Sequence, residues 1–142
     1  MNKANIQSII DKVYPKIKAD YGLSKWNDFP NVEIHNNIYE MASGIEGMEG
    51  EVDAQANFCR YSNTIELFQS EIINTNHVIQ CLLHEYRHYL QSETWFKRYY
   101  AMGYDYSNHP YELAAKKEEN NYKKYAKTLG EANNLSYIEH VQ

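Results

Sequence analysis

Apolar residues in the first part of the chain recur at helical steps. Ile6, Ile9, Ile10, Val13 and Ile17 fall three or four residues apart, and the pattern stops near Gly22. Residues 23–31, LSKWNDFPN, read as a loop anchored by Trp26 and Phe29. Val32, Glu33 and Ile34 alternate briefly, as a strand does. Residues 42–51, ASGIEGMEGE, carry Gly44, Gly47 and Gly50 and read as a loop or irregular turn. Alternation then returns: Val52, Ala54, Ala56 and Phe58 before Ser62-Asn63, Ile65 and Leu67 after it. That is the pattern of a hairpin.

A second helix is expected from Asn74 or Thr75, either of which can cap it, to about Leu90. Residues 93–109 are crowded with aromatic side chains and predict a short helix that breaks at Gly103. A last helix starts at Pro110, a favoured first-turn residue, and runs toward Gly130. The order helix, short strands, helix, helix implies an α+β fold, a small antiparallel sheet with helices packed on one side. No repeat or low-complexity stretch divides the chain, so residues 1–142 are expected to form a single domain.

The second helix carries two stripes. Val78, Leu82, Tyr86 and Tyr89 form an apolar one, flanked by Ile79, Leu83 and Leu90. His77, Gln80, His84, His88 and Gln91 form a polar one. Within HEYRH, His84 and His88 stand one turn apart on the same face, so both imidazoles can reach one ion at about 2.0–2.1 Å. Glu85 is rotated about 100° from His84, where it can touch a water on the metal without being a ligand. The plain alternative is a helix whose histidines only face solvent.

A zinc site with catalytic chemistry needs a third protein ligand and an open position. NHPYELAAKKEE offers His109 and Glu112. Glu119, two turns after Glu112, can support a ligand histidine through its other ring nitrogen. Each carboxylate also has a simpler reading: Glu112 as a favourable charge near a helix N-terminus, Glu119 as a solvated side chain.

HEYRH followed by PYELAA resembles the gluzincin-type zincin metallopeptidases, H-E-x-x-H with a later glutamate ligand. The small size is similar to the minigluzincins and to ImmA/IrrE-like and SprT-like domains. The resemblance rests on His84, Glu85, His88 and Glu112 and covers roughly residues 50–125. One departure is Lys116, which stands one turn after Glu112 where larger gluzincins carry an aspartate. No zinc-ribbon cysteines follow.

The resemblance implies a Zn2+-dependent peptidase with zinc on His84, His88 and Glu112 and Glu85 as general base. The residues themselves favour Glu112 over His109. His109 precedes proline, which pushes it out of the helical region, whereas Glu112 rises from a helix that Ala114 and Ala115 allow to pack closely. Tyr104, Tyr106, His109 and Tyr122 are the candidates for a donor to the oxyanion. A peptide or protein substrate would add to an exposed hairpin edge. The aromatic segment 95–111 would either wall the cleft or pack as core.

Composition narrows the partners. Hydrophobic residues make up 43% and charged residues 23% of the 142, the balance of a folded globular chain. A net charge of −5 without a basic stripe argues against nucleic acid as a partner. No stretch approaches the apolar length of a membrane span, and the N-terminal residues do not read as a signal peptide. Cys59 and Cys81 form no disulfide framework, so a reduced, cytoplasmic setting is expected. Two other functions remain: a zincin fold kept as a binding or regulatory module, such as a phage accessory protein, and a protease for one particular partner. Against a pure binding module stands Glu85, a base beside the metal for which binding alone has no use.

Overall fold

A computed structural model describes residues 1–37 and 55–130. Helix α1 spans Lys3–Tyr21. The Asn2 side chain caps it by accepting from the Asn5 amide at 2.8 Å, and Gly22 ends it at φ 76°, a conformation other residues rarely adopt. The predicted stripe is its buried face: Ile6, Ile9, Ile10, Val13, Tyr14 and Ile17.

Strands β1 (Asn31–His35), β2 (Ala56–Cys59) and β3 (Thr64–Phe68) form one sheet in the order β1-β3-β2. The hairpin expected around Ser62-Asn63 is present, with β2 antiparallel to β3 and Phe58 opposite Ile65. Asn63 takes φ 51°, which asparagine tolerates better than most residues. Val52 and Ala54, and the glycine-rich loop 42–51, lie outside the described residues.

The sheet departs from expectation in one respect. β1 runs parallel to β3, with Val32 beside Ile65 and Ile34 beside Leu67, so the sheet is mixed rather than purely antiparallel. Alternation specifies which face of a strand is buried but carries no information about its direction. The α+β class stands.

Helix α2 spans Thr75–Leu90, capped by Asn74, whose side chain accepts from the His77 amide. α3 spans Glu93–Ala101 and contributes no fully buried residue. Gly103, at φ 104°, follows it where the break was expected. α4 spans Pro110–Glu118, and a 3-10 turn at Glu119–Asn121 leads into a helical stretch at residues 122–130. α4 lies against α2, and Ala115, fully buried, permits the close approach. No helix among the described residues is long and apolar enough to cross a membrane.

The core forms between α1, the inner face of the sheet and α2, with Ile65, Leu67, Val78, Ile79, Leu82 and Leu83 at its centre. Tyrosines sit at its rim. The rings of Tyr14, Tyr86 and Tyr89 pack together, and their hydroxyls donate to the carbonyls of Pro30, Gly22 and Asn27 respectively. Tyr89 also accepts from the Ser24 amide. A loop without helix or strand thereby has its polar groups met by phenols whose rings belong to the core. Residues 122–130 are tied on similarly: Tyr125 donates to Asp20 at 2.7 Å.

Candidate metal centre

The part of the polar stripe formed by His84, His88 and Gln91 faces α4. His84, Glu85 and His88 bring their ligand atoms within 4.8 Å of one another. Glu112, from the first turn of α4, enters between the two imidazoles. Its Oε2 lies 3.5 Å from His84 Nε2 and 3.1 Å from His88 Nε2.

The outer ring nitrogens decide what the inner ones can do. His84 Nδ1 is 2.8 Å from Glu119 Oε2, and a carboxylate only accepts, so Nδ1 carries the hydrogen. His88 Nδ1 is 2.8 Å from Gln91 Oε1. The Gln91 amide is oriented by its other end, where Nε2 donates to the Tyr111 carbonyl at 3.0 Å. Oε1 is therefore the acceptor, and His88 Nδ1 also carries a hydrogen. Both Nε2 atoms then present lone pairs toward the Glu112 carboxylate. Three electron-pair donors converge with no hydrogen of the neutral side chains between them.

Such an arrangement is stable only with a cation inside it. In the metal-free chain the cation is a proton. Burial by itself lowers the pKa of His84, but hydrogen bonds to Glu112 and Glu119 and the nearby Glu85 charge outweigh it and lift the group to about 9. Burial raises Glu112, and its hydrogen bonds with His84 and His88 outweigh that, bringing it down to about 2. The two shifts are one interaction seen from each side. Two imidazoles and a carboxylate are also the donor set of a hydrolytic zinc site, so these residues fit a zinc ion.

Glu85 differs from Glu112 in its surroundings. It is 7% exposed, and among the described residues its carboxylate takes part in no hydrogen bond or ion pair. Burial pushes its pKa above the usual carboxylate range, opposed by the two histidines. A carboxylate held this way is a better proton acceptor than one in water.

The remaining predicted residues are placed unequally. Glu119 meets His84, while Lys116 is exposed. The carboxylate that supports the first histidine thus comes from two turns beyond Glu112 instead of one. Tyr106 is largely exposed, and desolvation, followed by the charges of Glu112 and Glu85, raises its phenol above its ordinary value. Tyr122 packs against the hydrophobic core, and the Tyr104 ring packs on Tyr99. His109 is fully buried: Nδ1 accepts from the Tyr111 amide and caps α4, and Nε2 donates to the Phe96 carbonyl at 2.9 Å. Neither ring nitrogen is left for a metal or an oxyanion.

Gln91 and Arg60 were not singled out by the sequence as site residues. Arg60 follows β2 and donates to the carbonyls of His88 and Gln91, at 3.0 and 3.2 Å. Its guanidinium lies between the rings of Phe58 and Phe96. The only advance signal was Gln91's place at the end of the polar stripe; Arg60 had none. A second grouping, Glu33, His35 and Glu66, lies on the sheet. Glu33 and Glu66 are register partners, and Glu66 accepts from Asn57. A cavity of about 520 Å³ adjoins Glu33 and His35 and shares no lining residue with the His84–His88 site.

Comparison with family models, with curated proteins and with solved structures gives no match.

Proposed function

We propose that the protein is a zinc-dependent metallopeptidase, with zinc held by His84, His88 and Glu112 and Glu85 as the general base. The observation that carries this reading is the convergence of both Nε2 lone pairs on the Glu112 carboxylate, with each Nδ1–H held from behind. A solvated polar stripe has no reason to build that arrangement. Zinc bound there would polarise a substrate carbonyl and lower the pKa of its water to about 7.

The chain's own groups supply the rest. Glu85 accepts the proton from the attacking water and passes it to the leaving amine as the C–N bond breaks. Glu112 would contribute the one negative charge among the three ligands, so that a bound zinc would leave the site net positive for the developing oxyanion. Tyr106, largely exposed, is the candidate donor to that oxyanion. Glu85 beside the two histidines, buried and without a hydrogen-bond partner among the described residues, weighs against a pure binding module.

The test is elemental analysis of the purified protein followed by digestion of a peptide library with and without chelator. The reading expects close to one zinc per chain and cleavage that chelator abolishes. A protein free of metal after purification in zinc-containing buffer would overturn it.

A further inference from the structure

Gln91 stands at the junction of three elements, and its two amide atoms serve two different parts of the site. Oε1 accepts from His88 Nδ1, at 2.8 Å. Nε2 donates to the carbonyl of Tyr111, the residue immediately before Glu112, at 3.0 Å. The side chain is 5% exposed, so water is a poor substitute for either bond. Its own backbone is fixed as well. The Gln91 amide closes the end of α2 on the His88 carbonyl, and Arg60 reaches from the β2–β3 turn to hold the His88 and Gln91 carbonyls together.

We infer that Gln91 is a positioning residue for the metal centre, one amide that sets both the ring of His88 and the start of the helix bearing Glu112. The inference rests on the metal reading above. His84 and His88 are spaced by their common helix, but Glu112 belongs to another element, and its distance from them must be set by a contact between the two. Gln91 makes that contact beside the ligands. An amide suits the place because the two tasks need opposite polarity: an acceptor for the imidazole N–H, a donor for the carbonyl. No carboxylate or ammonium does both. Arg60 completes the clamp by relating the hairpin to the same two carbonyls.

The inference is tested by zinc affinity in competition with a chromophoric chelator, on the full chain, for the parent, Gln91→Met and Gln91→Glu. Methionine keeps the volume and removes both polar atoms; glutamate restores only the acceptor for His88. Gln91→Met is expected to weaken zinc about 10–100-fold, the usual cost of losing a partner behind a ligand histidine. Gln91→Glu is expected to recover only part of that loss, because a carboxylate behind the ring keeps its orientation while the bond to the Tyr111 carbonyl stays broken. A residue that only packs would give the opposite order, since a buried carboxylate facing the Tyr111 carbonyl is the worse guest.

Circular dichroism of each metal-free variant establishes that it is folded. If Gln91→Met fails to fold, Gln91→Glu against the parent still decides: weaker zinc binding by a folded protein supports the inference, and affinity within twofold of the parent overturns it. Zinc binding by Gln91→Met within twofold of the parent overturns the inference alone. Absence of zinc binding by the parent overturns the metal reading and this inference with it.

Discussion

Glu112 Oε2 stands 3.1 Å from His88 Nε2, across 24 residues of chain and between two different helices. The contact joins groups that, as neutral imidazole and carboxylate, would both offer lone pairs. Replacing Glu112 with alanine removes the charge that gathers a cation there. Zinc affinity should then fall by more than the roughly 10–100-fold expected for loss of a supporting partner. Isothermal titration of the purified variant measures it, and near-parental affinity would remove Glu112 from the ligand set.

Glu85→Gln should separate binding from chemistry. The amide keeps the shape but cannot take a proton, so metal content should match the parent while peptide cleavage falls about 10²–10⁴-fold. Equal cleavage rates for the two proteins would sink the proposed role of Glu85.

Metal uptake should release protons. His84, ordinarily at 6.5, is held at about 9 in the metal-free chain, so it is protonated at neutral pH and zinc must displace that proton. Affinity should therefore rise with pH and level off near the raised value. The linkage to metal-free stability has the other sign. The His84 contribution is complete below 6.5 and is lost as pH rises through about 9. Calorimetry in two buffers of different ionisation enthalpy counts the protons; a count of zero at pH 7 contradicts the pairing with Glu112.

His109→Ala should behave differently from both. Its ring caps α4 and satisfies a buried carbonyl, so its loss should lower stability by about 1–3 kcal/mol without removing a ligand. Urea denaturation of the zinc-free variant reads the stability, and zinc titration of the folded fraction should still saturate at the parental stoichiometry.

Alkaline conditions should unfold the protein through its tyrosines. Burial, first of all, raises the phenols of Tyr14, Tyr86 and Tyr125 above their ordinary value of 10. A folded pKa above the unfolded one gives stability that is complete below about 10 and declines as pH climbs beyond it. Spectrophotometric titration at 295 nm should show a set of phenols that ionise only together with loss of the near-ultraviolet circular dichroism signal.

Much of this was legible in the residues because it is local. The stripe from Ile6 to Ile17, the Asn74 cap, the stop at Gly103 and the start at Pro110 are short-range signals, and each appears in the structure. The shared face of His84 and His88 follows from helical geometry alone. What the residues did not disclose depends on long-range placement. The parallel pairing of β1 with β3 is a choice of direction that alternation leaves open. Arg60 reaches the site only because the hairpin turn meets the end of α2. His109 was one of two ligands the segment NHPYELAAKKEE offered, yet the turn before α4 folds it inward onto Phe96.

The tyrosine hydroxyls that fasten residues 22–30 have a consequence for how the molecule comes apart. α2 is gripped on one side by that loop through Tyr86 and Tyr89, and on the other by α4 and the turn after it through His84, His88 and Gln91. A helix held on both flanks has no inexpensive partial opening, so its amide hydrogens should exchange at the rate of whole-molecule excursions. Heat would then dismantle the site and the fold in the same event, leaving no compact remainder that lacks the site.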